Sequence, residues 1–182
     1  MIKLIVSDEI TLKQLEETDA KVIFTVIDNQ REYLGRWLPF VAGTKTVDDT
    51  LSFVRSVNET PETFRELVFC IHYRNEFVGL IGLKFNPLDK EHKRTEIGYW
   101  LSEPFQKKGI VTQSARMLID YAFDELELNR IAIKCAVGNQ PSKNIPMLLG
   151  FVFEGIERDG ELFPDGHFVD LEVYSLLKKE WK

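Results

Sequence analysis

Two cysteines, three histidines and no excess of basic charge among 182 residues are scarcities that each remove a class of function. Cys70 and Cys135 lie inside apolar runs of strand character, so they read as buried thiols, and a disulfide framework is excluded. A covalent acyl carrier at Cys135 would need a histidine or a helix start nearby to lower its pKa, and the local sequence offers neither. His72, His92 and His167 lack ligand spacing to cysteines or carboxylates, so no metal is expected. With 23 basic against 29 acidic residues and a net charge of -6, the chain has no broad cationic surface for nucleic acid, and direct nucleic-acid binding is not expected. No apolar run approaches the ~20 residues of a membrane span, and the opening Met1 to Val6 is too short for a secretory core. The expectation is a cytoplasmic protein without membrane contact.

What is present is a hydrophobic fraction of 44%, enough to fill the core of one domain spanning residues 1–182. Ile10 to Lys13 alternates as a strand, and a helix opening near Thr18-Asp19 places Ala20, Ile23, Phe24 and Ile27 on one face. A short polar helix and the turn-rich Arg36-Trp37-Leu38-Pro39-Phe40 follow. A second clear helix starts at Thr46, with Leu51, Val54 and Val57 as its apolar face. Phe64 to Tyr73 and Phe77 to Asn86 read as a hairpin closed by Arg74-Asn75-Glu76. Pro87 to Lys93 forms a polar link to a strand over Arg94 to Ser102, in which Gly98 predicts a bulge. A helix over Ser114 to Leu126 precedes a strand at Ile131 to Val137, an order that implies parallel pairing through a right-handed crossover. The chain then gives a strand (Phe151 to Ile156), an acidic turn (Glu157 to Gly166) and a strand (Phe168 to Leu176). The class is α/β with a mixed sheet.

Gln106-Lys107-Lys108-Gly109-Ile110-Val111-Thr112 stands between a strand and a long helix. The first turn of a helix has unpartnered N–H groups and about half a positive charge from the aligned peptide dipoles, so this junction suits a phosphate. Gly109 permits close backbone approach, and Lys107 and Lys108 add cations. About thirty residues on come Asn139-Gln140-Pro141-Ser142 and then Asn144 to Gly150-Phe151. Together the two segments resemble the GNAT superfamily of acyl-CoA-dependent N-acyltransferases. That family carries a Gln/Arg-x-x-Gly-x-Gly/Ala pyrophosphate loop and a later Asn-x-x-Ser segment running through a helix to Gly-Phe. The order of elements agrees with the GNAT layout, in which a central sheet is split at a bulge and carries helices on both faces.

The resemblance implies acetyl-CoA as donor, held by Gln106 to Thr112 and by main-chain groups of Tyr99, Trp100 and Leu101, with Asn139 on the pantetheine amide. It implies direct attack by a primary amine, with Glu96 as a base acting through water. Many relatives protonate the leaving thiolate with a tyrosine in the helix after Asn-x-x-Ser, and this chain has none there. In the branch resembling RimJ/RimL-type enzymes the serine takes that role, which is Ser142 here. A helix N-cap is the structural alternative for the same residue. Trp37 and Phe40 match the Trp-Leu-Pro-aromatic segment that walls the acceptor cleft, and aromatic core packing is the alternative for Trp37. The branch points to a protein N-terminus as acceptor, such as that of a ribosomal protein, and to homo-oligomers. A small amine (polyamine, amino-acid derivative or antibiotic) and a non-catalytic acyl-CoA sensor are the competing readings. The sensor reading rests on the missing tyrosine and on Val111, which occupies the loop position usually held by Gly or Ala. Seven carboxylates from Glu154 to Glu172, against Arg158 alone, predict an acidic rim for a cationic acceptor.

Overall fold

Alternating apolar and polar residues at Ile10–Gln14 bury Ile10 and Leu12 on one face of a strand, and period-2 patterns of this kind recur along the chain. The computed structural model describes residues 1–61, 66–86 and 88–182. Its strands are β1 (Lys3–Ile5), β2 (Ile10–Gln14), β3 (Leu67–Tyr73), β4 (Glu76–Lys84), β5 (Arg94–Leu101), β6 (Arg130–Ala136), β7 (Val152–Leu162) and β8 (Phe168–Leu177). They form one 8-stranded sheet in the order β1-β2-β3-β4-β5-β6-β8-β7. Only β5 and β6 are parallel, and the connection between them carries the long helix α5 (Ile110–Asp124), as the strand, helix, strand order requires.

The mixed sheet expected from the sequence is thus present, with differences at several boundaries. β1 had no counterpart in the sequence reading. The expected strand start at Phe64 and the start of the polar link at Pro87 lie outside the described residues, and β3 begins at Leu67. The β3–β4 turn has two residues rather than three. Arg74 and Asn75 both take positive φ (51° and 66°), the geometry of a type I′ turn, whose twist matches that of the flanking strands. The acidic segment from Glu157 belongs mostly to β7, which runs on to Leu162, and its irregularity is a register shift against β8 between Glu157 and Glu161.

Helices cover both faces. One face packs α5 through Ile110, Ala115, Leu118, Ile119 and Phe123 against Phe69, Ile81, Ile97, Ile131 and Leu176. The other packs α1 (Ala20–Asn29), α2 (Arg31–Gly35), α3 (Phe40–Gly43) and α4 (Val47–Glu59) against Cys70, Phe77, Leu80 and Trp100. Thr46 starts α4 as expected, its hydroxyl accepting the Asp49 N–H while the Asp49 carboxylate accepts the Thr46 N–H. The last helix, α6 (Gln140–Leu148), ends in a Schellman motif: Phe151 N–H bonds the Pro146 carbonyl and Gly150 takes φ 77°. That ending turns Leu149 and Phe151 into the core. Among the described residues no helix is long and apolar enough to cross a membrane.

Candidate active site

The sheet opens at β5. Arg94–Glu96 pair with Arg130–Ala132 of β6, after which the two parallel strands part while β5 stays on β4 as far as Leu101. The bulge expected at Gly98 is absent: β4 and β5 hold one register straight through it. Gly98 serves a different purpose, because a Cβ there would stand 2.8 Å from Cε of Lys84. Its absence makes room for that lysine's stem, whose ammonium partly offsets the rise that burial imposes on the pKa of neighbouring Glu96.

Strand alternation decides which main-chain groups face the opening. Ser102 N–H donates to the Val78 carbonyl at 2.8 Å, so in an antiparallel ladder Trp100 also points at β4, and the intervening Tyr99 and Leu101 point into the split. Of the three residues expected to offer N–H groups, Trp100 therefore spends its own in the ladder. Its ring instead packs edge-on against Phe77, 5.9 Å between centroids.

At the mouth of the split, Gly109 has φ 70° and is the N-cap of α5. The helix begins at Ile110, four residues before the expected Ser114. The first helical bond runs from Gln113 N–H to the Gly109 carbonyl at 3.0 Å, which leaves the N–H groups of Ile110, Val111 and Thr112 without intrahelical partners. Lys107 precedes this cap in a left-handed conformation, φ 61°, and lines the cleft. Lys108 turns away. Its ammonium lies over the rings of Phe105 (4.9 Å) and Tyr73 (5.5 Å), so the expected second cation is engaged elsewhere. Val111 is 8% exposed and lines the cleft.

The cleft behind this mouth encloses about 1120 Å³, room for a long ligand. One wall is the α1–α2 region, tied to the loop after β5. Gln30 Nε2 donates to Ser102 Oγ (2.7 Å), Gln30 Oε1 accepts from Glu103 N–H (2.8 Å), and Gln106 Nε2 donates to the Tyr33 hydroxyl. Trp37 lies on that wall, and its ring edge comes 4.0 Å from where a Cβ of Gly138 would stand, so it spans toward the end of β6. Gln30, Tyr33 and the Gly138 contact were not anticipated, because nothing in local spacing marks which residues of two short helices face a distant loop. Phe40, the other expected acceptor residue, is 45% exposed on α3 and stands outside the cleft lining.

The opposite wall carries α6. Asn139 caps it, its side-chain oxygen accepting the Ser142 N–H at 3.3 Å. The cap is therefore Asn139, and Ser142 stands inside the first turn with its hydroxyl directed at Tyr99: Ser142 Oγ donates to the Tyr99 oxygen at 3.3 Å, and the Tyr99 hydroxyl donates to the Ser142 carbonyl at 3.0 Å. Burial pushes the Tyr99 phenol well above its ordinary pKa. The hydroxyl missing from α6 is thus supplied from β5 by a residue expected to act only through its main chain.

Glu96 stands one step before the strands part, on the α1 side of the sheet and outside the cleft lining. Burial raises its carboxyl pKa, Lys84 and Lys134 oppose that shift, and Glu157 and Glu161 add to it. Lys134 Nζ lies 3.9 Å from Glu96 and 2.7 Å from Glu157. Three of the seven carboxylates of the expected acidic rim are held by cations, Glu154 by Arg130 (2.6 Å), Glu157 by Lys134 and Glu172 by Lys143 (3.0 Å), while Asp165 contacts the His167 ring (2.5 Å). Burial lifts the Cys135 thiol to about 11, so it is protonated near neutrality and no nucleophile. Among the described residues no group of three or more His, Cys, Asp or Glu side chains could hold a metal.

A helix mouth with free N–H groups, the main-chain groups of Tyr99 and Leu101 at the split, and the Ser142–Tyr99 hydroxyl pair lie along one cleft. Residues 9–152 match the family model described as an acetyltransferase (GNAT) domain. "Putative ribosomal N-acetyltransferase YdaF" of Bacillus subtilis (strain 168) is 38% identical over 178 residues, covering 97% of this chain and 96% of its own. Ribosomal-protein-serine acetyltransferase of Escherichia coli (strain K12) is 29% identical over 172 residues, 94% of each chain. The crystal structure of microcin C7 self immunity acetyltransferase MccE, in complex with acetyl-CoA and AMP, superposes with a TM-score of 0.87 at 30% identity over 94% of both chains. The chain therefore belongs to the GNAT acetyltransferase family and is an acetyl-transferring enzyme.

Proposed function

We propose that the protein transfers acetyl from acetyl-CoA to the α-amine of a protein N-terminus, such as that of a ribosomal protein, by direct attack. The observation that carries the reading is the alignment, along one cleft, of the α5 mouth, the main-chain groups of Tyr99 and Leu101 and the Ser142–Tyr99 hydroxyl pair. The diphosphate of the donor fits the N–H groups of Ile110, Val111 and Thr112 beside Lys107. The N–H groups of Tyr99 and Leu101 face the split where an amide-bearing arm would run and where charge would develop on a thioester oxygen. Ser142 is the hydroxyl placed to donate to the sulfur as the C–S bond breaks.

An α-amine has a pKa near ~8 and is about one-tenth neutral at pH 7, whereas a polyamine nitrogen near ~10.4 is neutral less than about a thousandth of the time. The first needs little help from a base, and a water-linked Glu96 suffices. The pairing of Glu154, Glu157 and Glu172 with Arg130, Lys134 and Lys143 also favours this acceptor, because it takes three of the seven β7–β8 carboxylates away from a polycation. A small-amine acceptor is the second reading, favoured by a 26% identity over 161 residues to spermidine N(1)-acetyltransferase of Escherichia coli (strain K12). Of the two features that suggested a non-catalytic sensor, the missing tyrosine has a counterpart in the phenol of Tyr99 beside Ser142, which favours the catalytic reading.

Acetyl-CoA-dependent thiol release from purified protein, offered ribosomal-protein N-terminal peptides and then polyamines, tests the proposal. Release with the peptides is expected. Release with polyamines alone would transfer the assignment to the second reading, and none with any acceptor would refute both.

A further inference from the structure

Serine is a poor acid, so a lone Ser142 hydroxyl beside a departing thiolate would supply a hydrogen bond of ordinary strength. Its setting is not lone. The Tyr99 oxygen receives the Ser142 Oγ hydrogen at 3.3 Å, a long separation for two hydroxyls, while the Tyr99 hydrogen is committed to the Ser142 carbonyl at 3.0 Å. Both residues line the cleft, and the phenol reaches α6 from a different element, β5.

We propose that Tyr99 is a positioning residue whose phenol holds Ser142 in the resting site and donates to Ser142 Oγ when that hydroxyl swings to the sulfur. The idea rests on the reading of Ser142 given above. In the step, the amine nitrogen bonds the acetyl carbon, the C–S bond breaks and its electron pair goes to sulfur. The Ser142 hydrogen turns from the Tyr99 oxygen to that sulfur. The Tyr99 hydrogen then turns from the carbonyl to a lone pair of Ser142 Oγ, and donors in series strengthen one another. No proton leaves either hydroxyl. The product ammonium loses its proton to water or Glu96, and the thiolate takes one from solvent. A phenol kept neutral by burial suits a donor that never ionises.

The test is a double-mutant cycle of Tyr99→Phe and Ser142→Ala, with turnover and acetyl-CoA KM measured for each variant. Tyr99→Phe should lower kcat about tenfold, the worth of roughly one supporting hydrogen bond, with acetyl-CoA KM within about twofold. In the Ser142→Ala background the same change should add almost nothing, because the group Tyr99 acts through is gone. A full additional loss in that background would overturn the proposal while leaving Ser142 in place. No loss from Ser142→Ala itself would refute the Ser142 reading and the proposal with it. Equal rises in KM for both variants would mark a structural role only, and also overturn it. Should Tyr99→Phe unfold, Tyr99→3-fluorotyrosine keeps the shape and alters the donor. A changed kcat at constant KM is then expected, and an unchanged one overturns the proposal.

Discussion

Ser142 and Glu96 sit on different elements, α6 and β5, and their chemistry separates in measurement. Ser142 makes its proposed contact only as the thiolate forms, so Ser142→Ala should reduce kcat by about one to two powers of ten with CoA affinity nearly unchanged. Equal losses in both quantities, measured by steady-state kinetics beside calorimetric CoA binding, would place the residue in ground-state binding. Glu96 works as a base only when ionised. Its pKa is raised chiefly by burial, so activity should fall as pH drops through that raised value, adding a second acid-side group below the limb of the acceptor amine near ~8. In Glu96→Gln the lower group should vanish from the pH profile of kcat/KM while the amine limb stays. A two-group profile in that variant would assign the carboxylate elsewhere. The sequence brings both residues forward only through the family resemblance, and the structure sets Ser142 on the cleft and Glu96 outside its lining. The Tyr99 phenol was not, because only the folded sheet brings residue 99 within reach of residue 142.

The helix α5 shows what sequence patterning sees and what it misses. Its apolar spacing from Ala115 to Phe123 predicts the helix, yet Ile110 and Val111 read as loop, because the left-handed Gly109 that starts the helix carries no side-chain signature. The mouth is therefore one turn closer to the Lys107 side than spacing alone suggests. Any L side chain at φ 70° costs about 1–2 kcal/mol, so Gly109→Ala should lower the melting temperature modestly. Gly109→Glu adds to that strain a negative charge where a diphosphate would lie, and should weaken CoA binding at least tenfold by calorimetry. Unchanged affinity in the glutamate variant would move the diphosphate away from this turn. The hairpin after β3 and the α4 start were legible from turn and cap chemistry. The sequence did not show that Lys108 turns to Tyr73, a ring brought in from β3, or that Phe40 starts α3 outside the cleft lining.

At the scale of the molecule, the sheet gains its opening by shortening one ladder rather than by a bulge: β5 and β6 share three residue pairs and then separate. The β6–β8–β7 arm beyond the split is held by ion pairs whose partners are far apart in sequence, which is why the acidic run looked like an open rim. Among them Glu154 is drawn down to about 2 by Arg130 and Ser175. A carboxylate depressed on folding contributes stability that is complete above its unfolded pKa near ~4.3 and is lost as pH falls through the folded value. Acid unfolding should accordingly include a component between about 4.3 and about 2 that Glu154→Gln removes, read by circular dichroism against pH. An identical acid profile in the variant would deny the pair that role. At this scale the α5 mouth and the opening between β5 and β6 together grip a nucleotide thioester. Isothermal calorimetry of the folded wild-type protein with CoA tests it most directly. The account predicts a single saturable site whose affinity collapses in Gly109→Glu; an absence of binding heat across a range of temperatures, or undiminished binding in that variant, would contradict it.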